Sequence, residues 1–172
     1  MLRLSHLLAL LVLFNSSAVQ AQTSRSAESY CLRGNSHYSN GSFDLAIADY
    51  DAAIAFDPGY ALAYNNRANA RYAKGEMEAA LADYDRAIEI NPAYTVALYN
   101  RGNLRKQSGD LDGAIADFSR AIELVPRLAQ AFNSRGIALQ EKGDPDSAIK
   151  DYDRAIEIEP RFAEAYNNRG EA

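Results

Sequence analysis

The chain has 172 residues, 48% of them hydrophobic, with a formal net charge of −5 and a single cysteine. Mild acidity gives no bulk attraction to nucleic acid or to an anionic membrane. One cysteine cannot close an intramolecular disulfide, so stability has to come from packing, for which the length and apolar content suffice as one domain.

Residues 1–21 stand apart from the rest. Arg3 is their one formal charge, Leu7–Phe14 is an unbroken apolar run, and Val19-Gln20-Ala21 reads as a cleavage site before Gln22. The run is far shorter than the about 20 residues a membrane-spanning helix needs. The reading is a signal peptide over 1–21 and an exported, periplasmic chain over 22–172 with no membrane insertion after cleavage. Losing Arg3 makes the mature chain one charge more acidic.

From Ala27 the sequence repeats. SYCLRG at Ser29–Gly34 recurs as AYNNRA, ALYNRG, AFNSRG and AYNNRG, each copy 34 residues after the last and with no gap. The units are 27–60, 61–94, 95–128 and 129–162, with a partial fifth at 163–172. A fixed period of this size marks a stacked repeat architecture.

Within each unit the letters predict two antiparallel helices. A first helix (27–40, 61–74, 95–108, 129–142) is stopped in each complete unit by Gly at position 15, the residue best suited to a left-handed C-cap, and a final first helix begins near 163. Ser42, Glu76, Asp110 or Asp144 then opens the second helix (43–56, 77–90, 111–124, 145–158), where an acceptor or a negative charge is favoured. Apolar residues at positions 20, 21, 24, 27, 28 and 30 form one helical stripe, as in Ala80, Leu81, Tyr84, Ala87, Ile88 and Ile90. Pro at position 32 ends the unit. Position 8 is Gly or Ala, positions 20 and 27 are always Ala, and position 24 is Tyr or Phe, so close helix crossings are expected.

This pattern resembles the tetratricopeptide repeat over Ala27–Ala172. The resemblance implies an all-α fold, a right-handed α-solenoid of stacked antiparallel helix pairs. Position 11, usually Tyr in that family, is His37, Arg71, Arg105 and Leu139, which suggests a looser interface or side-chain stems reaching out to water. Position 7, commonly Leu there, is Arg in every unit. A charge repeated at a half-buried position needs a partner, and position 23 is Asp in every complete unit. Ion pairs of Arg33, Arg67, Arg101 and Arg135 with Asp49, Asp83, Asp117 and Asp151 are therefore expected, ahead of a row of ligand-binding cations.

The resemblance also implies a concave groove lined by first-helix positions 2, 5, 6, 9, 12 and 13. At positions 5, 6 and 9 the candidates are Asn65, Tyr99 and Asn133, Asn66 and Asn100, and Asn35, Asn69 and Asn103. Tyr38, Tyr72 and Lys106 follow at position 12. Asn donates and accepts, which suits an extended peptide backbone. Tyr adds apolar area with a polar tip. The family's groove for a terminal carboxylate uses cations where this chain has Cys31, Val96, Gln130, Asn100 and Ser134, so a chaperone-tail clamp is not expected. First helices are less acidic than second helices, and Arg71, Lys74, Arg105 and Lys106 are the groove-side cations with no assigned carboxylate.

Chemistry is not expected. Cys31 and His37 sit six apart on one helix, on divergent faces, with no third group to orient the imidazole. No cluster has metal-ligand spacing and no loop would cradle a phosphate, so neither an enzyme nor a cofactor is implied. The functional expectation is a protein–protein interaction adaptor or scaffold that binds an extended peptide or protein segment. The fifth unit stops at Ala172 without a polar capping helix. That leaves two alternatives, a scaffold that self-assembles through its terminal repeats as a homo-oligomer, or a piece of a longer array.

Overall fold

The computed structural model describes residues 27–172, and among them the chain is nine helices with no strand. They are α1 (27–39), α2 (Phe43–Phe56), α3 (Ala61–Ala73), α4 (Met77–Ile90), α5 (Thr95–Gln107), α6 (Leu111–Leu124), α7 (Ala129–Lys142), α8 (Pro145–Ile158) and α9 (Ala163–Glu171). The all-α expectation stands. The signal-peptide reading of 1–21 lies outside the described residues.

Local chemistry accounts for the helix ends. Gly41, Gly75, Gly109 and Gly143 all have positive φ, between 74° and 92°, where a Cβ would be strained. At the last of these, Gly143 N–H donates to Gln140 and Asp144 N–H to Leu139, which closes the turn on otherwise unpaired carbonyls. Asp110 and Asp144 then cap α6 and α8 by accepting from the N–H of Gly113 and Ser147. The bonds from Ser147 hold the Asp144 carboxyl below its ordinary range. Ser42, at the matching place before α2, makes no such side-chain bond, so there the cap is positional only. Between units, Asp57 and Asn91 accept from the N–H two residues on and tighten the turn around Pro58 and Pro92.

The helices fall into two compact units, 27–83 and 84–172. The core of the first gathers Ala27, Cys31, Ala46, Tyr50, Ala53, Ala63 and Ala70, with Tyr30, Ile47, Ile54 and Tyr60 packed against it. In the second, Ala114, Phe118 and Ala138 form one cluster, and Ala129, Phe132, Ala155 and Ala165 another. Small residues at position 8 and aromatics at position 24 are two halves of one contact within a helix pair. A Cβ added at Gly34 would lie 2.6 Å from the Tyr50 ring, one at Gly102 2.8 Å from Phe118, and one at Gly136 2.6 Å from Tyr152.

Ala114 is fully buried against Phe118 and Ala138. Replacing it with Leu forces three extra carbons into that crossing, and the expected loss is about 1–3 kcal/mol in a urea melt. An unchanged midpoint would mean that position 20 is not a close crossing.

Candidate functional site

Two sets of polar residues recur on the first helices, and the structure uses them differently. Position 7 comes first. Arg67 donates through Nε and Nη2 to the two oxygens of Asp83, at 2.8 and 2.6 Å. Arg101 does the same to Asp117 at 2.8 and 2.5 Å, and Arg135 to Asp151 at 2.7 and 2.7 Å. Arg33 grips Asp49 through the same edge. These two-pronged pairs are strong because the planar guanidinium matches a carboxylate.

From the second repeat on, the third arm of the guanidinium reaches the preceding repeat, a contact the sequence reading missed. Nη1 of Arg67 meets Asp51, that of Arg101 meets Asp85 at 2.6 Å, and that of Arg169 meets Asp153 at 2.6 Å. Arg135 finds the hydroxyl of Ser119 instead, at 3.0 Å. All four acceptors stand at position 25, whose Asp, Asp, Ser, Asp series was the available signal. Burial opposes the charge on Arg67. The hydrogen bonds that Arg67 donates to Asp83 and Asp51 outweigh it and hold the guanidinium above its ordinary pKa.

The groove-side cations are fewer than the sequence suggests. Position 11 lies one turn after position 7 on the same face. Arg71 Nη1 therefore reaches Asp83 at 2.7 Å, and Arg105 Nη1 reaches Asp117 at 2.9 Å. His37 Nε2 stands 3.7 Å from Asp49 in the same arrangement. Lys74 pairs with Asp44 and Glu76 at 2.6 and 2.7 Å. Arg71, Lys74 and Arg105 are thus not unassigned. The polar residues at position 11 complete the ion-pair wall rather than loosening it.

The asparagines are also engaged. Asn35 Oδ1 accepts from Tyr50 Oη at 2.8 Å and from Asn66 Nδ2 at 2.9 Å. Asn65, buried, donates to Asn66 Oδ1 at 3.0 Å. In the second unit, buried Asn133 accepts from Asn168 at 2.9 Å and donates to Glu164 at 3.0 Å. Asn69, Tyr72 and Asn100 each hold a further contact within the chain. The Tyr38 ring packs on Phe43 at 5.5 Å, and Tyr99 on Phe118 at 5.8 Å with its hydroxyl 3.4 Å from Ser134. Asn35, Tyr38, Ser39, Tyr50, Asn66 and Asn69 line an open hollow of about 290 Å³ in the first unit.

Asn103 and Lys106 remain, half-buried and without a hydrogen-bond or ion-pair partner among the described residues. They continue a strip along α5 through Val96, which is 53% exposed, and Tyr99. Spacings of three, four and three residues put these four on one helix face.

Cys31 and His37 do not meet. Cys31 is buried, its Sγ accepts from Asn66 at 3.6 Å, and burial pushes its thiol pKa up, away from the reactive thiolate. His37 faces Asp49. Among the described residues no group of three or more His, Cys, Asp or Glu could hold a metal, and no helix is long and apolar enough to cross a membrane.

Two buried phenols carry a pH signature. Burial first, and then nearby acidic groups, push the Tyr152 hydroxyl up to about 12. Burial holds Tyr50 higher still. A raised acid keeps its proton in the folded chain after the unfolded chain, with its tyrosine near about 10, has lost it. Stability should be whole below about pH 10 and fall as pH climbs towards 12. Melting temperature against pH, read beside tyrosinate absorbance, checks this. A midpoint flat across that window would contradict it.

Comparison with known proteins bears on this geometry. Models described as tetratricopeptide repeat match residues 31–95, 83–116, 102–143 and 129–162. No curated protein matches the sequence. Among solved structures, the crystal structure of MamA is similar at 28% identity over 86% of each chain, with a TM-score of 0.75. The first repeat domain of Spaghetti (RPAP3), bound to the HSP90 peptide SRMEEVD, is similar at 29% identity, over 70% of this chain and 95% of that one, with a TM-score of 0.68. The pilF protein of Pseudomonas aeruginosa shares the fold at 16% identity, over 87% of this chain and 68% of that one, with a TM-score of 0.81.

Proposed function

The chain belongs to the tetratricopeptide repeat family, and from that premise we propose that it is an adaptor whose partner is an extended peptide or protein segment lying along α5. Proteins built from these repeats are interaction scaffolds in general. The observation that carries the finer reading is the strip Val96, Tyr99, Asn103 and Lys106. It joins exposed apolar surface to an amide and an ammonium that have no partner among the described residues. An amide that both donates and accepts suits a peptide backbone of any sequence, and an unpaired ammonium suits an acidic side chain on it. The similar RPAP3 domain holds a peptide, which supports a peptide partner here. The asparagines of the first unit, bonded to one another and to Tyr50, take the lesser share of binding.

The test is a peptide array probed with the 172-residue chain, followed by titration of the best binder. Replacing Asn103 and Lys106 together by Ala should weaken binding about tenfold or more, as removal of anchoring contacts does. The melting midpoint should hardly move, because neither side chain has a hydrogen-bond or ion-pair partner among the described residues. Binding that survives this change but fails in Asn35→Ala would move the site to the first unit. A mass that rises with concentration and falls back in the double variant would favour self-assembly. Export rests on residues 1–21, and we propose a periplasmic mature chain. Amino-terminal sequencing of protein from the cell envelope should begin at Gln22, and a Met1 start would remove that reading.

A further inference from the structure

The two ends of the α5 strip differ in chemistry, and the distance between them is set by the helix. Val96, exposed, stands at position 2 and Lys106 at position 12. No other first helix pairs an apolar residue with a cation in this way. Position 2 is Glu28, Leu62, Val96, Gln130 and Glu164, whereas position 12 is Tyr38, Tyr72, Lys106 and Gln140. The other cations of α5 are committed, Arg101 to Asp85 and Asp117, Arg105 to Asp110 and Asp117. Lys106 is the one α5 cation without a carboxylate among the described residues. Between the ends, the Tyr99 ring is packed on Phe118 and its hydroxyl lies 3.4 Å from Ser134, so the middle of the strip is a fixed floor.

Ten residues separate Val96 from Lys106, which is about 15 Å along the axis at about 1.5 Å per residue. An extended peptide advances about 3.3 Å per residue and turns alternate side chains to opposite faces. Only even spacings therefore bring two of its side chains onto α5 together. A spacing of two advances about 7 Å and falls short by about 8 Å. A spacing of six advances about 20 Å and overshoots by about 5 Å. A spacing of four advances about 13 Å, and the lysine stem, leaning back towards the start of the helix, covers the other 2 Å or so.

We propose that the partner segment carries an apolar residue and an acidic residue four positions apart, the first over Val96 and the second on Lys106, in either chain direction. This rests on α5 being the binding helix and adds to it a ruler that selects among peptides. An apolar anchor alone can slide along the strip, and an acid alone can reach Lys106 from any side. The two together fix one register.

The probe is a set of blocked serine-glycine peptides with one leucine and one glutamate set three, four, five or six residues apart, titrated into the 172-residue chain by fluorescence anisotropy. Affinity should peak at four and fall about tenfold at three and five, where the glutamate faces away and a charge-assisted hydrogen bond is lost. Lys106→Gln should bring the peak down to the level of its neighbours. Lys106→Glu should abolish it, and peptides with lysine in place of glutamate should restore it at the same spacing. Equal affinity at every spacing, a maximum at three or five, or no saturable binding at four would overturn the proposal. The best binder from the peptide array separates this failure from that of the α5 reading itself. If it still loses affinity when Asn103 and Lys106 are replaced by Ala, only the ruler falls. If it binds that variant unchanged, both fall.

Discussion

Asp117→Ala should unfold the chain more easily than loss of any other single acid of the second unit. Its carboxylate, 3% exposed, accepts from Arg101 twice and from Arg105 once. Removing it leaves two cations beside a newly emptied site. Breaking a buried pair from one side costs about 3–5 kcal/mol, mostly as the penalty on the charge left behind. Arg101 keeps Asp85, and Arg105, 26% exposed, keeps Asp110 at 3.6 Å and water. The expected loss is therefore at the low end, about 3 kcal/mol, or on the order of 10 °C in melting temperature for a chain of this size. Asp117→Asn should fall between, since it keeps the shape and one acceptor but not the charge. Asp112→Ala is the control. That acid is 79% exposed beside Lys142, and surface pairs contribute about 0–1 kcal/mol. Equal melting shifts for Asp117→Ala and Asp112→Ala would show that the arginine wall is ornamental.

Gly136→Leu should be comparably damaging, for a steric reason. The first added carbon would already lie 2.6 Å from the Tyr152 ring, well inside van der Waals contact. The ring is fully buried and its hydroxyl donates to Gln140 at 2.8 Å, so moving it also breaks that bond. Overpacking of this kind costs about 1–3 kcal/mol and sometimes more. Leu is the better helix former by somewhat under about 1 kcal/mol, which offsets only part of the loss. With the lost hydrogen bond set against that gain, the expected net is a destabilisation of about 1–3 kcal/mol in a urea melt. Combining it with Tyr152→Ala should recover part of that, because the two changes share one space. Full additivity in the double variant would mean that the glycine and the ring do not touch.

Most of the fold is legible in the letters because it is written by local rules. The period of 34 residues, Gly at position 15, the Asp caps at 110 and 144 and the apolar stripe each act within a few residues of themselves. They place every described helix to within about a residue or two of where it is found. The pairing of Arg67 with Asp83 and of Arg101 with Asp117 is nearly as legible, since two charges that share a period at a half-buried place leave few other solutions.

What each side chain touches across repeats is another matter, and there tertiary structure decided. A helix face is shared by neighbours far apart in the chain, so which residues compete for one carboxylate depends on packing. Arg71 and Arg105 read as free cations from their positions alone. They are captured because one helical turn brings them to the same Asp83 and Asp117 that position 7 already holds. The Asn series reads as a row of ligand contacts by composition. Asn35, Asn66 and Tyr50 close on one another because stacked helices bring side chains 15 and 31 residues apart to hydrogen-bond distance. Only that closure separates Asn103 and Lys106 from the rest, since an unmet hydrogen bond is a property of the surroundings and not of the residue.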